Sequence, residues 1–152
     1  MKVLFLLMGA LWLTTGITAG PVSAGNLEAV DLSHYRWRHR LLLIFTPSAD
    51  LPAYQTLLEQ LHQERLEALD RDLLVFRLVN QGQSQVDEAK LSPAGAETLR
   101  KRLKIPENEF RVVLIGKDGS VKLSAGSADL ADIFGLIDSM PMRQREMKER
   151  RN

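Results

Sequence analysis

The chain has 152 residues with 20 Lys and Arg against 19 Asp and Glu, so it lacks the basic excess that would make nucleic acid a natural partner. It contains no cysteine, which excludes thiol redox chemistry, disulfides and every zinc site built on thiolates. Its length suits one folded domain.

Met1 and Lys2 precede a nearly unbroken apolar run over residues 3–13, and Val22, Ser23 and Ala24 offer the small side chains that a signal peptidase reads. Residues 1–24 are therefore expected to be a secretory leader cleaved near Ala24, leaving the protein periplasmic or secreted. The apolar run is shorter than the ~20 residues of a membrane span, and without cysteine no lipid anchor is expected. The leader holds one lysine and no acid, so the rest of the chain carries equal numbers of basic and acidic residues.

Residues 25–33 read as an irregular lead-in. From His34 to Arg40 rings alternate with cations. Such a pattern serves stacking and phosphate contacts in some proteins. The plainer reading, preferred here, packs Tyr35 and Trp37 along a sheet edge and points the arginines to water. His34 and His39 have no third ligand at a metal-binding spacing, so no metal is expected.

Leu41, Leu42, Leu43, Ile44 and Phe45 include no polar residue and predict a central strand covered on both faces. Leu51, Tyr54, Leu57, Leu58, Leu61, the stem of Arg65, and Ala68 or Leu69 then recur at helical spacing, predicting one long amphipathic helix. Pro52 fits only its first turn, which makes Asp50 the expected N-cap. Asp70, Arg71 and Asp72 close that helix, and residues 73–79 predict a second strand, parallel to the first through a right-handed crossover. Residues 80–90 are polar, rich in Gln and without period, and read as a surface loop.

Ser92 and Pro93 supply an N-cap and first residue for a helix that places Ala96, Leu99 and Leu103 on one face. Residues 110–115 predict a third strand and residues 121–123 a fourth. Between them Gly116, Lys117, Asp118 and Gly119 predict a hairpin turn rather than a phosphate cradle, because a phosphate loop opens a helix and this segment joins two strands. Leu130, Ile133, Phe134 and Ile137 mark a core-facing helix over residues 129–139, which Pro141 is expected to stop. The remaining tail, residues 141–152, carries Arg143, Arg145, Lys148, Arg150 and Arg151 against Glu146 and Glu149. It reads as a solvated helix or as an arm for an anionic surface.

The predicted order is βαβαββα: an α/β domain over residues 25–140 with a mixed four-stranded sheet and helices on both faces. This resembles the thioredoxin fold. On that alignment Asp50, Leu51, Pro52 and Ala53 occupy the place of the redox Cys-x-Pro-Cys, with the proline kept and both thiols gone. The place of the fold's cis-proline falls on Phe110, with Pro106 a few residues early. Tyr35, Trp37, Arg40 with residues 41–45, Pro47, Asp50, Arg71-Asp72-Leu73, the block 114–119, residues 121–123 and the ending Asp138-Ser139-Met140-Pro141-Met142-Arg143 with Glu146-Met147 carry a closer likeness. They are similar to a domain-of-unknown-function family of small exported bacterial proteins. That family is shared with the animal extracellular-matrix Equarin and sushi-repeat group and is compared with peroxiredoxins and thioredoxins.

The resemblance implies a thioredoxin-like fold, export and no settled activity, and no cofactor is expected. Two functions follow as expectations. One is a non-catalytic module binding a protein, peptide or envelope component through Thr46, Ser48, Asp50, Phe110 and Arg111. The alternative is a thiol-independent enzyme using Asp50 at the helix N-terminus as acid, base or ligand.

Overall fold

The computed structural model describes residues 30–151. The expected leader and its cleavage site lie outside the described residues.

A six-stranded mixed sheet is built around β1 (Arg40–Ser48). Its parallel neighbour is β2 (Leu73–Gln81), in a register that sets Arg40 opposite Leu73 and Ser48 opposite Gln81. On the other side runs antiparallel β5 (Arg111–Ile115), followed by β6 (Val121–Ala125). The short strands β3 (Gln85–Val86) and β4 (Ala89–Lys90) extend the β2 edge, giving the order β4-β3-β2-β1-β5-β6. The four predicted strands are thus present, and two more lie in the segment expected to be a loop. There Val86 and Leu91 are buried, and the Ser84 hydroxyl accepts from the Val79 N–H at 3.0 Å. Two-residue strands leave no periodicity to read.

The side-chain alternation of β1 explains how one apolar run supports two cores. Leu41, Leu43 and Phe45 face α3 (Pro93–Leu103), where they meet Phe76, Leu78 and Leu99. Leu42 and Ile44 face the opposite layer with Tyr54, Leu57 and Leu61 of α1 (Pro52–Gln63) and Ile133 and Ile137 of α4 (Leu130–Ser139). The thioredoxin-like arrangement, with helices on both faces, is as expected.

Several local expectations are corrected. The long helix breaks at Glu64 (φ −100°, ψ 28°), and α2 (Arg65–Asp70) continues beyond it. Of its apolar residues only Ala68 is buried, small enough for α2 to lie close to Leu73, while Leu66 and Leu69 are exposed. Asp50 does not cap α1: Leu51 occupies the N-cap position, and no side chain bonds the first turn. Where capping was expected at Ser92 it is present, with the hydroxyl accepting from the Gly95 N–H at 3.0 Å. Asp129 likewise caps α4 through the Ala131 N–H at 2.8 Å.

These assignments are separable by mutation. Asp129→Ala should cost about 1 kcal/mol in urea unfolding. Asp50→Ala, which removes no hydrogen bond, should stay within about 0.5 kcal/mol.

Tyr35 belongs to a 3-10 turn (Leu32–Tyr35) and meets Phe76 edge-to-face with ring centroids 5.6 Å apart. Trp37 does not pack as expected: it is 66% exposed and held at φ 66° by the backbone bond of its N–H to the Lys117 carbonyl, 2.7 Å. Nor does Arg40 point to water, because it is 1% exposed.

Pro141 stops α4 and also starts α5 (Pro141–Glu149). Met140, forced to be extended by the proline that follows, turns the chain between the two helices (ψ 139°). The tail is the short helix expected, but one face of it is not solvated: α5 returns against the domain and buries Arg143.

Candidate functional site

The five residues singled out in the sequence come together at one end of the sheet. Phe45 pairs with Arg111 across β1 and β5, and Thr46, Ser48 and Asp50 continue beyond it. Their chemistry is mostly internal. Thr46 is buried, and its hydroxyl donates to the Ser48 carbonyl at 2.7 Å. Arg111 is paired with Glu109, and Phe110 is half-buried against the α1/α4 core. Asp50 is exposed, and no hydrogen bond or ion pair joins its side chain to another described residue. The place of the cis-proline in the redox fold has no counterpart, since every described peptide bond is trans. Among the described residues of this edge, Asp50 is the carboxylate left without a partner, while Glu109 is taken up by Arg111. Among the described residues no group of three or more His, Cys, Asp or Glu is placed to hold a metal ion.

The densest polar chemistry lies at the other end of β1, about 25 Å away at the usual strand rise. The Glu146 carboxylate of α5 accepts from both terminal nitrogens of Arg40, at 3.1 and 3.2 Å, and from Lys117 Nζ at 2.7 Å. Lys117, 9% exposed, also reaches Asp72 at 2.8 Å, and Arg40 donates to the Arg71 carbonyl at 2.9 Å. A second set adjoins it. Arg143 donates to Asp138 at 3.1 Å and to the Asp70 carbonyl at 2.8 Å, and is paired with the Asp70 carboxylate. Arg71 donates to Asp138 at 2.6 Å and to Glu67 at 2.7 Å while lying over the Phe134 ring.

Each position has a local cause. Arg40 opens β1. Asp72 turns the chain from α2 into β2 with a left-handed backbone (φ 49°) that Asp tolerates. Lys117 sits in the β5–β6 turn, where Asp118 is held at about 2 by the hydrogen bond from Lys122.

Burial opposes the charged form of Glu146, yet hydrogen bonds from Arg40 and Lys117 outweigh it and hold the carboxyl below its ordinary value. Asp70 is likewise lowered, first by its hydrogen bond from Arg143. Burial also disfavours charge on Arg143 and Arg71, but their carboxylate partners raise both. Every charge here has an opposite partner, and the arrangement acts as a structural clasp joining β1, the α2–β2 junction, the hairpin turn and α5. Of the five tail cations, Arg143 is buried and Arg150 is paired with Asp70, which leaves Arg145, Lys148 and Arg151 turned outward.

The sequence reading of single elements missed the clasp because its members are far apart in the chain. The signal that marks it is the family-like pattern, in which Arg40, Arg71, Asp72, Lys117, Asp138, Arg143 and Glu146 all figure. The family described as Domain of unknown function (DUF4174) matches residues 31–146. The chain belongs to the DUF4174 family. The match runs through α5 as far as Glu146, the last member of the clasp.

The DUF4174 domain is 32% identical over 133 residues to coiled-coil domain-containing protein 80 of Danio rerio, covering 76% of this chain and 15% of that protein. It is 33% identical over 123 residues to the sushi repeat-containing protein SRPX of Homo sapiens, covering 78% of this chain and 26% of that protein. The chain thus spans about a quarter or less of the length of these relatives. Among solved structures it is similar to a reduced 2-Cys peroxiredoxin of Plasmodium vivax, with a TM-score of 0.56, 14% identity, and coverage of 76% of this chain and 85% of that one. That likeness establishes the fold. The DUF4174 domain shares that fold, and its sequence contains no cysteine.

Proposed function

We propose that this DUF4174 domain is a non-catalytic recognition module of an exported protein. Its partner is a protein, peptide or component of the cell envelope, and it binds at the edge formed by Thr46, Ser48, Asp50, Phe110 and Arg111. The observation that carries this reading is the state of that edge: Thr46 and Arg111 are satisfied within the chain, and Asp50 stands exposed without a group to act with. Such a surface presents shape and one negative charge, which suits contact rather than turnover. The apolar run of residues 3–13 and the small residues before Gly25 support export, and the resemblance to small exported bacterial proteins favours the periplasm.

The test is capture from envelope extract followed by binding measured with the purified partner, comparing the wild type with Ala49→Arg/Asp50→Arg. Both substituted positions are exposed, so folding should be retained. The expected result is a loss of affinity of tenfold or more, with Glu149→Lys on the distant α5 unchanged. Equal binding by all three proteins would remove this edge from the function.

A further inference from the structure

A different cleft, beside the hairpin turn and unrelated to the Asp50 edge, has the makings of a ligand site. It has a volume of about 310 Å³, near the lower end of the range for small-molecule sites. Leu41, Leu103 and Ile115 give it an apolar floor, and Arg36, His39 and Arg102 line it with nitrogen donors; among the described residues no Asp or Glu lines it. The two arginines come from separate parts of the chain, one ahead of β1 and the other in the last turn of α3.

Arg36 lies against the turn. A Cβ on Gly119 (φ 81°) would stand 2.4 Å from Arg36 Nε, so the glycine leaves the room in which that guanidinium lies. Neither arginine has a carboxylate within ion-pair distance among the described residues, in contrast to Arg40, Arg71, Arg111, Arg143 and Arg150. The acid whose charge Arg102 does influence, Asp31, is engaged with the Ser33 N–H at 2.9 Å and the Ser33 hydroxyl at 2.7 Å.

We propose that this cleft binds a small organic anion, with a carboxylate or phosphate head between Arg36 and Arg102 and an apolar body on Leu41, Leu103 and Ile115. Two guanidiniums offer paired N–H donors that match either head, and the floor repays burial of a hydrocarbon or aromatic body. At the roughly 30 Å³ that a water occupies in the liquid, the volume accommodates about ten non-hydrogen atoms. Octanoate has ten such atoms, and octyl phosphate has a few more.

Trp37, next to Arg36 and largely exposed, is the one tryptophan after residue 29 and reports on the site by fluorescence. The purified protein is titrated with octanoate, octyl phosphate, 1-octanol and inorganic phosphate, with calorimetry alongside. Saturable binding is expected for octanoate or octyl phosphate, and the stronger of the two identifies the head group. Octanol and inorganic phosphate should each bind at least tenfold more weakly. Arg36→Gln/Arg102→Gln should weaken the anion at least tenfold while the unfolding midpoint stays within the range of surface substitutions. Octanol binding as well as octanoate, double-variant affinity equal to the wild type, or no binding of either anion because the chain's own N-terminal residues fill the cleft would each overturn the proposal.

Discussion

Glu146→Ala should destabilise the domain by about 3 kcal/mol, toward the lower end of the loss that follows when one partner of a buried ion pair is removed. The carboxylate serves two cations that are almost fully buried, Arg40 and Lys117. After truncation Lys117 keeps Asp72, but Arg40 keeps only the Arg71 carbonyl and becomes a buried charge without a counter-ion. The side chain of Glu146 is itself 18% exposed, so water entering the gap limits the loss. Differential scanning calorimetry should show a fall of roughly 10 °C in Tm. Glu149→Ala, exposed in the same helix, should stay within about 0.5 kcal/mol.

The pH dependence has a definite sign. The folded-state value of Glu146 is depressed, so its contribution is complete above the ordinary value of 4.5 and is lost as pH falls through the lower folded value. Wild-type stability should therefore decline below about pH 4.5, and the decline should be shallower in Glu146→Ala. A variant as stable as Glu149→Ala, with an unchanged acid profile, would falsify the clasp.

Ending the chain at Met140 should have a larger effect still. This removes Arg143 together with Glu146, so Asp70 and Asp138 lose a cation while Arg40 and Lys117 lose an anion. Two adjoining ionic groups are opened at once, and the combined loss approaches the whole stability of a typical domain, about 5–15 kcal/mol. The expected outcome is a protein without a sharp unfolding transition and without the dispersed amide spectrum of a packed core. Removing only residues 150–152 takes away the exposed pairing of Arg150 with Asp70 and should cost no more than about 1 kcal/mol. Had the tail been solvated, both shortened proteins would behave like the full chain.

The sheet was legible because its signals are local. An unbroken apolar run marked β1, the spacing of Leu130, Ile133 and Ile137 marked α4, and Asp118-Gly119 marked the hairpin. Caps were legible where a side chain bonds the first turn and misread where none does: Ser92 caps α3 as expected, whereas Asp50 does not cap α1, which starts at Pro52 as expected with nothing bonded at Leu51. Pro141 stops α4 as expected, and the helix of the tail begins at that same proline, which suits a first turn equally well. Charge was the least legible property. Arg40 read as a surface cation because its counter-ion lies 106 residues downstream, and no window of sequence spans that distance. At the Asp50 edge the position was anticipated and the hydrogen bonding was not, since Thr46 turning inward to Ser48 depends on how the strand ends.

The clasp also governs when folding can finish. The guanidinium that opens the central strand meets its counter-ion only in α5, 106 residues further along, so the base of the sheet stays unbalanced until that helix docks. Until then the sheet can assemble only with an unmatched cation at its base. Docking of α5 is thus the step that neutralises the interior, whatever the order in which the other elements fold.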